Sequence, residues 1–207
     1  PMDGFNTKCL LPGSAPEAWA DHLNKNGFKI NHSSELYKSR EAIKGRAFIH
    51  EPYDIPTEFS DTAFLADRAI KDLLSEKNSF FKHVSFLKPH PPFHVAEPWF
   101  SQINPNDIDL PVANNSLEEL SERHPLLKEL YKKFQNEENF TEMRFSELNE
   151  KDIKNIKSVY FGMCAEVDHN IGRILNALES SEQLNNTMII FTSDHGEMLG
   201  ENNLWGK

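Results

Sequence analysis

Near the end of this 207-residue chain an acid and an imidazole stand side by side, Asp194-His195, followed at once by Gly196. A carboxylate is a hard oxygen donor and an imidazole a nitrogen donor, so the pair makes a plausible half of a divalent-metal site. The preceding residues, Thr187 to Thr192, are β-branched and apolar without alternation. That pattern predicts a strand buried on both faces of a parallel sheet. Open α/β sheets bind ligands in the crevice beyond the carboxyl ends of their strands. Gly196 and Gly200 let the backbone turn away there, and Lys207 can return a cation to the same crevice. A turn that ends a strand with an Asx-type hydrogen bond uses the same residue types. The pair alone leaves both readings open.

A second imidazole lies in Lys88-Pro-His90-Pro-Pro-Phe-His94, after a predicted strand from Phe80 to Leu87. The prolines fix a rigid loop, which holds an imidazole at low entropic cost. Such a histidine is a candidate general acid or oxyanion donor. On the residues alone a surface-loop histidine is the simpler account of His90, and His94 has no assignment.

The elements that must position these residues are legible in outline. Ser14-x-x-Glu17 is a capping box opening a helix through Trp19 and Leu23 that ends near Gly27. Ser60 or Asp61 starts a second helix, with Leu65, Ala69 and Leu73 at helical spacing and Ile70 and Leu74 beside them. A helix feeding a strand is one half of a βαβ unit. Residues 95–115, with three prolines, read as a long surface connection, and Ser116-x-x-Glu119 opens a helix toward Phe134. The acidic, Asn-rich stretch 135–150 reads as a solvated loop. In the longest helix Ile153, Ile156, Tyr160, Met163, Val167, Ile171, Ile174 and Leu178 form one apolar stripe. Asp168 and His169 point in different directions there, which argues against a shared metal; Asp168 is assigned to structural hydrogen bonding and Gly172 to close packing. No repeat and no internal domain boundary is visible.

Composition sets the outer limits. The chain carries 32 acidic and 22 basic residues, a formal net charge of −10, which argues against nucleic acid or an anionic membrane as a partner. An anionic substrate then needs a local cationic site. Cys9 and Cys164 make no disulfide framework, and Cys164 reads as inert core. The longest apolar runs are a few residues, too short to span a membrane. No signal peptide is visible, so a cytoplasmic location is the expectation. Pro1 and Lys207 both read as cut ends.

Phe191-Thr-Ser-Asp-His-Gly-Glu-Met-Leu-Gly200, with a lysine thirteen residues after the aspartate, resembles the C-terminal metal motif of the sulfatases in the alkaline-phosphatase superfamily, and most of all their phosphonate monoester hydrolase branch. Four further stretches share the resemblance in the same order: Phe59 to Arg68, Phe86 to Phe93, His124 to Leu127, and Tyr160 to Asp168 continuing through Gly172-Arg173-Ile174. The resemblance implies an α/β fold, a mixed and largely parallel sheet with helices on both faces. Residues 1–207 are then the central to later portion of a catalytic domain truncated at both ends. It implies a metal-dependent hydrolase of phosphonate monoesters, phosphodiesters or sulfate esters, acting on a small anionic ester. Asp194 and His195 match metal ligands, and His90 and Lys207 match residues that meet the substrate. The divalent ion is Ca, Mn or Mg, and a formylglycine nucleophile is expected upstream of this sequence. Cys9 and Ser14 lack the arginine of the C/S-x-P-S/A-R pattern and are rejected as that nucleophile. A homo-oligomer is implied by resemblance only. Many arylsulfatases carry Asn where His195 stands, so a sulfatase proper is the alternative, and a non-catalytic protein keeping the fold is another.

Overall fold

The computed structural model describes residues 17–32, 36, 51–112, 116–136 and 148–206. Cys9, Ser14, Lys207 and most of the 135–150 stretch lie outside them. Helix α1, Glu17–Lys25, buries Trp19, Ala20 and Leu23 and is followed by Gly27 at φ +91°. The expected stop near Gly27 is therefore present, because a left-handed residue ends a helix most cheaply as glycine. Trp19 Nε1 donates to the Phe59 carbonyl at 2.7 Å, tying α1 to the turn that precedes α2, Asp61–Ser75. Ser60 caps α2, its Oγ accepting from the Ala63 amide at 3.1 Å. The first turns of α2, with Asp61, Thr62, Ala63, Phe64 and Ala66, are buried, whereas Leu74 near its end is exposed.

The organising element is α6, Glu150–Ser180, opened by an Asn149–Asp152 capping box. Ile156, Val159 and Met163 on its inner face join Phe93, Val95, Leu199, Leu204 and Trp205 in one core. A second core gathers Trp19, Ala20, Leu23, Leu36, Ile55 and Phe64. Between them, α3, Trp99–Gln102, and the turn Pro105–Asp107 pack on α6. Trp99 Nε1 donates to Thr57 Oγ1 at 2.6 Å, and Ser158 Oγ to the Ile103 carbonyl at 2.5 Å.

Four expectations change. The helix predicted to run from Ser116 toward Phe134 is two helices, α4, Leu117–Arg123, and α5, Pro125–Asn136. The Ser116–Glu119 capping box forms as expected, but His124, held extended before Pro125, breaks the run, since the residue before proline is pushed out of helical geometry. Gly172 is not a close-packing glycine: a Cβ there meets nothing within 4 Å among the described residues. Gly162 is, because a Cβ on it would collide with the Trp99 carbonyl. Asp168 is exposed and makes no side-chain hydrogen bond among the described residues; the buried polar groups of that turn are Glu166 and Asn170.

The fourth concerns the sheet. No β-strand is formed among the described residues, so neither 80–87 nor 187–192 is part of a ladder. Thr187 has extended dihedrals, yet Met188, Ile190 and Phe191 are each more than three-quarters exposed, and Phe81 is nearly so. A run of that composition is stable in a sheet only when neighbouring strands cover it.

Gly162→Ala is expected to destabilise the intact protein by about 1–3 kcal/mol through overpacking against α3. Gly172→Ala should be neutral or stabilise by up to about 1 kcal/mol through helix propensity. Paired melting curves check this, and equal shifts for both variants contradict the packing described.

Candidate active site

The loop that carries His90 is built from a turn. The His90 amide donates to the Leu87 carbonyl at 3.0 Å, which places Lys88 and Pro89 at its centre. The Lys88–Pro89 and Pro91–Pro92 peptide bonds are cis. His90 itself is half-buried, and its Nδ1 lies 2.6 Å from the Pro91 carbonyl. A carbonyl only accepts, so Nδ1 donates to it, and Nε2 is the nitrogen left for chemistry. The adjoining cleft is lined by Asp61, Leu87, Lys88, His90, Pro92 and His94.

The lysine two residues before His90 turns inward. Lys88 Nζ sits 2.7 Å from Glu166 Oε2 and 3.5 Å from Asp61 Oδ1, with all three side chains at most 4% exposed. Burial works to lower the ammonium's pKa, and the charges of Asp61 and Glu166 outweigh it, so Lys88 stands above the ordinary lysine value. His94, stacked on Tyr53 with ring centroids 4.3 Å apart, is buried behind the same loop. Burial first, then the Lys88 charge, pushes its pKa down to about 3, so it is neutral at physiological pH. Sequence reasoning passed over Lys88, Asp61 and Glu166. The signal was present: Glu166 shares the helical face of Met163 and Asn170, a charge where an apolar residue is expected.

The second loop begins at the exposed run and carries the Asp-His pair. Asp194 Oδ2 and His195 Nε2 are 3.3 Å apart, with the Asp194 side chain 85% exposed. Asp194 Oδ1 also accepts from the adjacent His195 amide at 3.0 Å, a bond to the next residue and not the two-residue reach of an Asx turn. His195 Nδ1 lies 2.7 Å from the Gly196 carbonyl and donates to it, so Nε2 is the nitrogen that faces the Asp194 carboxylate. Second-sphere bonding of one ring nitrogen is what orients a metal-ligating histidine. The two donors therefore fit half of a divalent site, and among the described residues no third His, Cys, Asp or Glu joins them.

Beyond Glu197 the chain folds back on itself. Met198 donates to the Gly206 carbonyl at 3.1 Å and Gly200 to that of Leu204 at 2.9 Å. Gly200, at φ +91°, is packed so closely against Pro111 and Trp205 that a side chain has no room. The expected sharp turn at Gly200 is thus present. Lys207 lies outside the described residues.

The two loops are neighbours. Phe93 of the first and Leu199, Leu204 and Trp205 of the second share one core against α6. Glu197, whose pKa is raised by burial against the pull of nearby backbone amides, also feels the charge of His90. His90 and the Asp194–His195 pair are consequently served by adjacent loops on one scaffold. Cys164 is half-buried, and burial raises its thiol pKa, as suits an inert position.

The chain belongs to the sulfatase family, whose model matches residues 5–207. It is 31% identical over its whole length to the multifunctional alkaline phosphatase superfamily protein PehA of Trinickia caryophylli, covering 41% of that protein. An arylsulfatase of Clostridium perfringens is 29% identical over 78% of this chain and 31% of its own. The crystal structure of the phosphonate monoester hydrolase of Agrobacterium radiobacter superposes with a TM-score of 0.86 at 33% identity, over 100% of this chain and 41% of that one. The fold is thus that of the alkaline-phosphatase-like sulfatases, and the chain spans about two-fifths of the length of the first of these relatives.

The state of His94 gives stability a pH dependence. Its folded pKa of about 3 lies below the ordinary 6.5, so between those values the unfolded chain binds more protons. Stability then rises with pH across that window and is lost as pH falls through it, at up to ~1.4 kcal/mol per unit. From pH 7 to pH 5 this one residue accounts for about 2 kcal/mol. Denaturant titrations of the intact protein at both pH values should show a loss that is smaller by that amount in His94→Phe. Equal losses in the two proteins contradict a neutral buried His94.

Proposed function

We propose that the intact protein is a metal-dependent hydrolase of phosphonate monoesters, phosphodiesters or sulfate esters. The observation that carries the reading is the Asp194–His195 pair, with its ring nitrogen Nε2 turned to the carboxylate on the loop beside His90. Membership of the sulfatase family supports it. Asp194 and His195 would hold a divalent ion, Ca, Mn or Mg, with the remaining ligands coming from sequence beyond these 207 residues. When bound, the ion supplies positive charge against the non-bridging oxygens of the ester. The nucleophile, of the formylglycine type, is placed upstream of this sequence.

The residues of this chain do the rest. His90, fixed through Nδ1 on the Pro91 carbonyl, presents Nε2 to the substrate. In the imidazolium form that nitrogen donates its proton to the oxygen of the leaving group, which otherwise departs as an unstable alkoxide or aryloxide. Lys207 places an ammonium against a substrate oxygen, the local cation an acidic protein needs for an anionic ester. The substrate is a small anionic ester; nucleic acid and membrane are not partners, a homo-oligomer is implied by resemblance alone, and the protein acts in the cytoplasm. The histidine at 195 favours the phosphonate-hydrolase and choline-sulfatase-like branches over the arylsulfatases, and the ratio of turnover on matched phosphonate and sulfate esters separates a phosphonate hydrolase from a sulfatase proper.

Asp194→Ala in the intact protein should strip the metal and leave the fold and melting curve largely intact. Unchanged metal content by elemental analysis removes Asp194 from the site. The 207-residue chain on its own is expected to be inactive and to hold metal weakly, since two donors are too few for a hard cation that takes about six. Saturable, metal-dependent hydrolysis of an aryl phosphonate by that chain would place the nucleophile within it.

A further inference from the structure

We propose that Lys88 is the positioning residue for His90, acting through its clamp between Asp61 and Glu166. This rests on the role given to His90 above and identifies what holds that imidazole in register. Three observations carry it. Lys88 occupies the centre of the turn closed by the His90 amide on the Leu87 carbonyl, so displacing its backbone displaces His90. Its Nζ reaches two separate helices, Asp61 at the first turn of α2 and Glu166 in the middle of α6, at 3.5 and 2.7 Å. Those helices pack on each other, and α6 also backs the Phe93 end of the same loop. The loop is therefore pinned at both sides of His90, by an apolar side chain after it and by a charge before it.

Packing alone does not require a charge at that place. A lysine buried beside two carboxylates is a costly arrangement, and an apolar side chain of the same length would suit an interior better. What the ion pairs add is direction: each carboxylate fixes the ammonium along one line, and two lines from different helices fix a point. Holding a reacting group to within a fraction of an ångström is where such precision matters, because a shift of about 1 Å costs on the order of 100-fold in rate.

The test is a double-mutant cycle in the intact, metal-loaded protein, with aryl ester substrates whose leaving groups span a range of pKa. Lys88→Met should lower kcat about 10- to 100-fold on the poorest leaving groups, with KM changed less than about three-fold. The loss should shrink toward the best leaving groups, which need no proton from His90. In a His90→Ala background Lys88→Met should cost less than about two-fold further, since both changes remove one function. Glu166→Gln, which keeps an acceptor for Nζ and drops one charge, follows the same pattern with smaller losses and serves where Lys88→Met does not fold. Equal losses in the two backgrounds, or one loss common to all leaving groups, overturn the proposal and leave Lys88 a structural residue. If His90→Ala itself keeps full kcat on poor leaving groups, it is the role of His90 that fails, a result distinct from an intact enzyme carrying Lys88→Met.

Discussion

The buried contact of Lys88 with Asp61 and Glu166 is the constraint on which the rest of the site depends. Taking charges out of water costs several kcal/mol each, and the cost is offset only when partners lie close and their remaining hydrogen bonds are made. Asp61 meets that condition in part without Lys88. It stands in the first turn of α2, where the helix dipole favours a negative charge, and its Oδ1 accepts the Thr62 amide at 2.9 Å. Glu166 has no such help: Oε2 takes the lysine, and Oε1 is buried without a hydrogen-bond partner among the described residues. Lys88 is thus what makes Glu166 tolerable inside α6. The same positive charge, added to burial, keeps His94 neutral, so one ammonium sets the ionisation of its neighbour as well as the path of the loop.

Local structure was readable from the sequence wherever the cause is local. Ser60 and Ser116 cap their helices, Gly27 ends α1, and the first half of the apolar stripe of α6, Ile153 to Met163, packs on the core, because caps and periodicity act over three or four residues. The broken helix at Pro125 was equally legible and was passed over, since proline restricts the residue before it wherever it falls. The exchange of Gly172 for Gly162 was not legible. Which glycine another backbone approaches depends on where α3 crosses α6, and nothing in their sequence spacing records that crossing. The buried carboxylate is Glu166 rather than Asp168: residues two apart on a helix differ by about 200° in direction, so when one faces the interior the other faces away.

The run 187–192 marks the limit of such reading. Its composition reports the environment the residues prefer, and that preference is for burial on two faces. Burial in a sheet is supplied by neighbouring strands that are distant in sequence, and none is formed among the described residues. The apolar side chains of Ile190 and Phe191 are therefore exposed where the pattern asks for cover. Pattern and structure do not conflict here. One states what the segment requires, and the other shows that these residues do not provide it.

The same division runs through the candidate site. The orientation of each imidazole ring is encoded locally: the His90 ring by the Pro91 carbonyl and the His195 ring by the Gly196 carbonyl. These interactions are short-range and survive without the rest of a sheet. Convergence is a different requirement in the proposed site, because a hard cation takes about six donors and the Asp194–His195 pair supplies two. Asp194 is mostly exposed while Lys88 is almost fully buried, although both are charged groups carried by the two neighbouring loops. An exposed carboxylate keeps its solvation until a cation replaces water, so holding it ready costs the fold little. A buried ammonium has no such reserve and must be matched by the fold itself. Lys88 therefore belongs to the framework that α2 and α6 complete here, whereas Asp194 lies on an exposed loop outside that framework.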